Sequence, residues 1–147
     1  MRLDHVSVVV DDLESAIDFF TTLGMTVEGK APIEGPWVDR VNGIENIQVD
    51  IVMMRTPDGH GRLELTKFRN PKLVDLEPAI APPNALGLRS VMFAVESVDD
   101  TVARLRAVGG ELIGEVVQYE DKHRLCYMRG PAGIIVSLAE DLSPTKS

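Results

Sequence analysis

The sequence predicts an α+β fold built from two β-α-β-β-β modules. The order of strand, acidic turn, helix and glycine occurs twice, and matching positions lie 85 residues apart, so that Ser90 aligns with His5. Three further strand-like runs, separated by turns that contain glycine, follow each helix. A proline-rich stretch, residues 70–87, lies between the two copies. Such a repeat indicates two copies of one supersecondary unit.

The first strand of the first module shows the alternation of a half-buried strand. Val6, Val8 and Val10 fall on one face, whereas His5 and Ser7 fall on the other. We expect the valines to pack under the helix that follows. His5 should therefore lie on the opposite, open face of the sheet.

A helix is predicted after each of these first strands. In the first copy Asp11 or Asp12 caps the helix and Gly24 ends it; in the second, Ser97 caps it and Gly109 ends it. Both segments have apolar residues at helical spacing. These residues are Leu13, Ala16, Ile17 and Phe20 in the first helix, and Val98, Val102 and Leu105 in the second.

The remaining strands are bounded by glycine, proline and asparagine. They are predicted at Met25–Gly29, Ile47–Arg55 and Gly61–Phe68, and at Leu112–Tyr119, His123–Met128 and Gly133–Ala139. Residues 31–46 are predicted to be an irregular loop that contains Trp37. Four of the nine prolines fall in the predicted linker. We expect one domain, 1–147, with a first module at 1–69, a linker at 70–87 and a second module at 88–140.

Composition is typical of a folded, soluble domain. Of the 147 residues, 44% are hydrophobic and 26% are charged. The net charge of −8 argues against binding to nucleic-acid phosphates or to an anionic membrane surface. A single cysteine, Cys126, excludes a disulfide within the chain and suits a reducing compartment. Because neither a signal peptide nor a membrane span is recognisable, we expect a cytoplasmic protein.

Two stretches resemble a known family. Residues 4–20, DHVSVVVDDLESAIDFF, are similar to the opening of vicinal oxygen chelate proteins, and residues 130–136, GPAGIIV, resemble their closing turn and strand. This superfamily includes glyoxalase I, methylmalonyl-CoA epimerase, extradiol dioxygenases and bleomycin-resistance proteins. The resemblance implies curved mixed sheets around a cup, with metal ligands on the first and last strands of each module.

The resemblance implies four ligand positions, and the repeat places them at His5, Glu64, Ser90 and Ser137. Imidazole and carboxylate groups are good ligands for Zn²⁺, Ni²⁺, Fe²⁺ or Mn²⁺, whereas a serine hydroxyl is a poor one. We expect His5 and Glu64 to hold a divalent metal weakly, with Ser90 and Ser137 as degenerate positions. The alternative is that His5 and Glu64 only form hydrogen bonds in a pocket.

Glu64 has a second candidate role. In glyoxalase-like and epimerase-like members a carboxylate beside the metal moves a proton next to a carbonyl group. The resemblance therefore makes Glu64 the candidate catalytic residue. The alternative is a structural ion pair with Arg62, Arg124 or Lys67.

Four other residues are candidates for substrate binding. Trp37 and Arg40 belong to the predicted first loop, and Tyr119 and Arg124 belong to the second module. A tryptophan in such a loop packs as an anchor, lines a pocket or lies at a subunit interface. His60 lies in a turn rich in glycine, where polar residues occur for backbone reasons.

Two hypotheses of function follow from different classes. The first is a glyoxalase-like metalloenzyme, a lyase or isomerase acting on a small oxygenated molecule. The second is a metal-free protein of the bleomycin-resistance kind that sequesters a small molecule. The retained imidazole and carboxylate favour the first, and the two serines favour the second. Since the family commonly completes its cups across a twofold interface, we also expect a homodimer.

Overall fold

The computed structural model describes residues 1–143. It divides into two compact units, one from Met1 to Ala79 and one that begins at Ile80. Each unit holds one mixed four-stranded sheet and one copy of the repeated helix. This confirms the predicted α+β fold of two β-α-β-β-β modules. No helix in the described part of the chain is long and apolar enough to cross a membrane.

The first unit contains four strands and two helices. Their bounds are β1 Val6–Val9, α1 Leu13–Leu23, β2 Thr26–Glu34, α2 Pro36–Asn42, β3 Gln48–Arg55 and β4 Arg62–Asn70. The strand order is β1-β4-β3-β2. Strand β1 runs parallel to β4, and the other pairs are antiparallel. The first and last strands of the module are therefore neighbours.

Helix α1 begins and ends at the capping residues that the sequence predicts. The Asp12 carboxylate accepts a hydrogen bond from the Ser15 backbone N–H at 3.0 Å. Gly24 ends the helix at φ 131°, a value that residues with a side chain rarely adopt. The apolar side of α1 packs against β4, where Leu63 and Leu65 are buried. This packing leaves the opposite face of the sheet free of α1.

The prediction of an irregular loop at residues 31–46 is wrong. Strand β2 continues to Glu34, because β3 pairs with it as far as Gln48. Helix α2 follows, with Pro36 at its start, where a missing N–H costs nothing, and Gly43 at its end. Val38 secures the helix by packing with Ile47 and Val49. These contacts join residues nine and eleven positions apart, beyond the spacing of local sequence patterns.

The second unit repeats the arrangement. Its elements are β5 Ser90–Ala94, α3 Val98–Arg106, β6 Glu111–Tyr119, β7 His123–Arg129 and β8 Ile135–Asp141. The order β5-β8-β7-β6 again places the first strand parallel to the last. The Ser97 hydroxyl caps α3 by accepting the Asp100 N–H at 3.1 Å. A 3₁₀ turn at Pro131–Gly133 precedes the last strand. The strand therefore begins at Ile135, two residues later than predicted.

The predicted linker has no regular structure beyond its first residue. Asn70 ends β4 instead of opening the linker. Residues 71–89 contain neither helix nor strand, which agrees with their proline content. The boundary between the two units falls within this stretch, after Ala79.

Candidate functional site

The open face of the first sheet carries two of the polar residues that the sequence singled out, His5 and Glu64. Along β4, Leu63 and Leu65 point toward α1, so Glu64 points away from it. Ser7 on β1 is the register partner of Glu64. The expected orientation of these strands is therefore the observed one.

His5 and Glu64 form a direct pair. The imidazole Nε2 lies 3.3 Å from the Glu64 carboxylate Oε2. The side chains are 31% and 21% exposed, so a molecule in solvent can reach both. The pair forms because β1 lies directly beside β4, which brings residues 59 positions apart into contact.

Glu64 is further held by two hydroxyl groups. Ser7 Oγ donates to Oε1 at 3.2 Å, and Thr66 Oγ1 donates to the same oxygen at 2.9 Å. These two hydrogen bonds fix the orientation of the carboxylate. None of the three expected cations, Arg62, Arg124 and Lys67, is an ion-pair partner of Glu64 among the described residues.

The other nitrogen of the His5 ring faces a second carboxylate. Nδ1 lies 2.8 Å from Asp4 Oδ2. Arg2 and Arg62 approach the same carboxylate at 3.1 Å and 3.3 Å. The hydrogen bond from His5, together with the charges of Arg62 and Arg2, lowers the pKa of Asp4 below its usual range. Sequence reasoning missed Asp4, although its position beside His5 was visible.

Arg62 connects this group to the neighbouring strands. Its Nη2 lies 2.6 Å from Glu28 Oε1, and the hydrogen bond and charge of Glu28 raise the pKa of Arg62. Arg55 lies 3.7 Å from the same Glu28 side chain. Charged residues from β2, β3 and β4 thus alternate in sign next to the His5–Glu64 pair.

The donor set fits a divalent metal only in part. Two ligand atoms bound at about 2.0–2.2 Å to a tetrahedral zinc ion lie roughly 3.3–3.6 Å apart, close to the His5–Glu64 spacing. Catalytic zinc sites usually have three protein ligands. Within residues 1–143, no group of three or more His, Cys, Asp or Glu side chains is arranged to hold a metal ion. The first unit therefore supplies two metal donors, His5 and Glu64, whereas a catalytic zinc site usually has three.

The second unit places serines at the equivalent positions. Ser137 on β8 pairs with Met92 on β5, as Glu64 pairs with Ser7 in the first unit. Ser137 is only 2% exposed, whereas Ser90 is partly exposed. Neutral hydroxyls do not replace an imidazole and a carboxylate as metal donors.

The four candidates for substrate binding have different surroundings. Trp37 and Arg40 are exposed on helix α2, the tryptophan by 54%, instead of lying in a loop. Tyr119 is 56% exposed at the end of β6. Arg124 donates to Asp99, at the start of α3, at 2.7 Å. None of the four contacts His5 or Glu64 through a hydrogen bond or ion pair found among the described residues.

A shallow groove of about 690 Å³ lies beside α2. Its lining residues are Glu34, Gly35, Pro36, Asp39, Asn46, Ile47, Gln48 and Asn70. The polar groups of the groove already bind one another: Asp39 accepts the N–H groups of Asn46 and Ile47, and Gln48 donates to Glu34. Since neither His5 nor Glu64 lines it, we regard the groove as part of the structural support of α2.

The fold and the paired first and last strands define a class of protein, and comparison with known sequences agrees. Residues 2–138 match the model of the Glyoxalase/Bleomycin resistance protein/Dioxygenase superfamily. The chain belongs to this superfamily. No curated protein matches the sequence significantly.

Solved structures show the same relationship. A glyoxalase family protein from Bacillus cereus is 50% identical, with 97% of this chain and 95% of that chain covered and a TM-score of 0.92. Glyoxalase I from Leishmania major is 21% identical, with 95% and 86% covered and a TM-score of 0.65. TnmS3, an antibiotic binding protein from Streptomyces sp. CB03234, is 22% identical, with 96% and 98% covered and a TM-score of 0.57. The last two show similarity of fold alone.

Proposed function

We propose that this protein binds a small molecule on the open face of its first sheet, at the His5–Glu64 pair, without a resident metal held by these residues. The observation that carries the proposal is that both side chains are held by other protein groups. Glu64 is held by the hydroxyl groups of Ser7 and Thr66, and His5 is held by the carboxylate of Asp4. The remaining family ligand positions are serines, whose neutral hydroxyls are poor metal donors.

A fixed carboxylate beside an imidazole can recognise a polar ligand directly. Each hydrogen bond between a ligand and an ionised group is worth about 1.5–3 kcal/mol. Loss of one such bond weakens binding by roughly 10-fold to 100-fold, since 1.4 kcal/mol corresponds to a factor of ten. Glu64 is therefore expected to contribute strongly to affinity.

The proposal is tested by a thermal-shift screen of small oxygenated molecules. A ligand that stabilises the natural protein should stabilise Glu64→Gln much less, because the amide is neutral. Glu14→Gln is the matched control, since Glu14 lies on the exposed part of α1, on the other side of the sheet. A ligand that stabilises Glu64→Gln as much as it stabilises the natural protein would contradict the placement of the site.

A second function, a metal-dependent lyase or isomerase acting next to a carbonyl, is favoured by one observation. The 3.3 Å between His5 Nε2 and Glu64 Oε2 suits two ligands of one ion. A bound Zn²⁺, Ni²⁺, Fe²⁺ or Mn²⁺ would supply Lewis acidity toward a carbonyl oxygen. His5 would act as a ligand, and Glu64 as a ligand or as the group that moves a proton.

Metal analysis separates the two functions. Elemental analysis of protein purified without added metal, followed by calorimetric titration with Zn²⁺, Ni²⁺ and Mn²⁺, measures what the pair holds. Stoichiometric metal that is lost in both His5→Ala and Glu64→Gln would favour the metalloenzyme. Weak or absent binding, together with a ligand that depends on Glu64, would favour the metal-free binding protein.

We also propose that the protein is a cytoplasmic homodimer without a nucleic-acid or membrane partner. The net charge of −8 supports the last part. Large exposed apolar side chains that follow β4 in the chain, such as Val74 and Leu76, support association. Light scattering at micromolar concentration should give twice the chain mass of 16.1 kDa. A mass of one chain at all concentrations would contradict the dimer.

A further inference from the structure

We propose that Asp4 is the positioning residue of the His5–Glu64 pair. Its carboxylate, which Arg2 and Arg62 approach, accepts a hydrogen bond from Nδ1–H of His5 and orients the ring so that Nε2 faces Glu64 and the open side of the sheet. The inference rests on the proposed function only in taking this pair as the ligand site.

The distances from the two ring nitrogens of His5 indicate which carboxylate accepts the hydrogen bond from the single N–H of the imidazole. A neutral imidazole carries one N–H, and the hydrogen bond made by one nitrogen determines the state of the other. Nδ1 lies 2.8 Å from Asp4, whereas Nε2 lies 3.3 Å from Glu64. Since N–H···O bonds are strongest near 2.9 Å and weaken beyond about 3.2 Å, the hydrogen belongs on the side of Asp4.

The surroundings of Asp4 hold it in place for this role. Arg2 and Arg62 bind its carboxylate from two directions, at 3.1 Å and 3.3 Å. Arg62 is itself fixed by Glu28 at 2.6 Å. Asp4 is therefore an ionised acceptor whose position depends on β4 and β2 as well as on its own segment.

The orientation of His5 predicts the chemistry of the ligand. With the hydrogen on Nδ1, the two atoms that face each other, His5 Nε2 and Glu64 Oε2, are both acceptors. A ligand group that approaches both atoms from the open side must donate hydrogen bonds or carry positive charge. The site is thus suited to a hydroxyl or ammonium group of a small molecule.

Nitrogen-15 NMR of the histidine side chains tests the inference without a ligand. The spectra are recorded near pH 9, well above the ordinary imidazole pKa of about 6.5. His5 is expected as the Nδ1–H form in the natural protein and as the Nε2–H form in Asp4→Ala. Asp4→Asn, which keeps an acceptor oxygen, should retain the Nδ1–H form.

Two controls accompany this measurement. Asp11→Ala removes one exposed carboxylate of the same segment without touching the His5 ring, and should leave the spectrum of His5 unchanged. His123, exposed at the start of β7, serves as the internal reference. Circular dichroism establishes that each variant is folded.

The spectrum of the natural protein can overturn the inference by itself. A signal of the Nε2–H form, or of an imidazole protonated on both nitrogens, would refute it, as would an unchanged Nδ1–H form in folded Asp4→Ala. These outcomes are independent of the proposed function. A ligand whose affinity is insensitive to Glu64→Gln would overturn that function while the NMR result stands.

Discussion

Leu65→Ala should destabilise the first unit severely. Leu65 is 0% exposed on β4, and its register partners Val8 and Val52 are also buried. The substitution removes three carbon atoms, worth about 0.8 kcal/mol each in transfer free energy, or ~2.4 kcal/mol. The cavity adds to this loss, and measured Leu→Ala costs span about 2–5 kcal/mol. We expect the free energy of unfolding to fall by about 3 kcal/mol.

Urea denaturation followed by circular dichroism and by the fluorescence of Trp37 measures this loss. Trp37 is the only tryptophan and lies in the first unit. With a urea m-value of about 2 kcal/mol per molar, the midpoint of the transition should fall by roughly 1.5 M. Leu138→Ala, at the equivalent 0% exposed position of β8, should cost a similar amount by circular dichroism.

Leu86→Ala is the matched control for this prediction. It makes the same chemical change at a side chain that is 100% exposed, where substitutions typically cost within about 0.5 kcal/mol. A loss below about 1 kcal/mol for Leu65→Ala, or an equal loss for Leu86→Ala, would show that the assigned burial is incorrect.

Three other predictions follow from the structure. The Ser15 hydrogen bonds lower the pKa of Asp12 in the folded state, so Asp12→Ala should destabilise the protein at neutral pH, and this difference should shrink as the pH falls from the ordinary Asp pKa of about 3.9 through the lowered folded value. Ser97→Ala, which removes a cap that does not titrate, should cost about 1 kcal/mol at every pH; an acid-sensitive difference there would contradict this reasoning. Burial, and to a lesser extent Asp99, raises the pKa of the Cys126 thiol, so iodoacetamide should modify Cys126 slowly in native protein and rapidly in urea; rapid modification of native protein would contradict its burial.

Part of the fold was predictable because its signals are local. The repeat, the caps Asp12 and Ser97, and the alternation along β1 depend on neighbouring residues alone. The contact between His5 and Glu64 was also predictable, because the resemblance and the repeat together located both positions. Helix α2 was not, because it depends on Val38 packing against residues that follow it by nine positions or more.

The ion pairs that surround the His5–Glu64 pair could not be predicted from the sequence for a similar reason. Asp4, Glu28 and Arg62 lie far apart in the sequence, and only the strand order β1-β4-β3-β2 brings their charges together. The burial of Ser137 was hidden as well, since a serine on a strand reads as a solvent-facing residue. In the structure all four residues 135–138 of β8 are buried, on both faces of the strand.

The sequence by itself determined the two-module fold, the caps of its helices and the two side chains that meet on the open face. The fold and the caps follow from hydrophobic period, side-chain hydrogen bonding close along the chain, and the internal repeat. The choice of His5 and Glu64 came from the resemblance to the superfamily. Only the tertiary structure decided which carboxylate lies beside each nitrogen of His5. It also decided what fraction of each side chain is exposed to solvent. Distance and burial are properties of the folded chain, because contacts between remote strands set them.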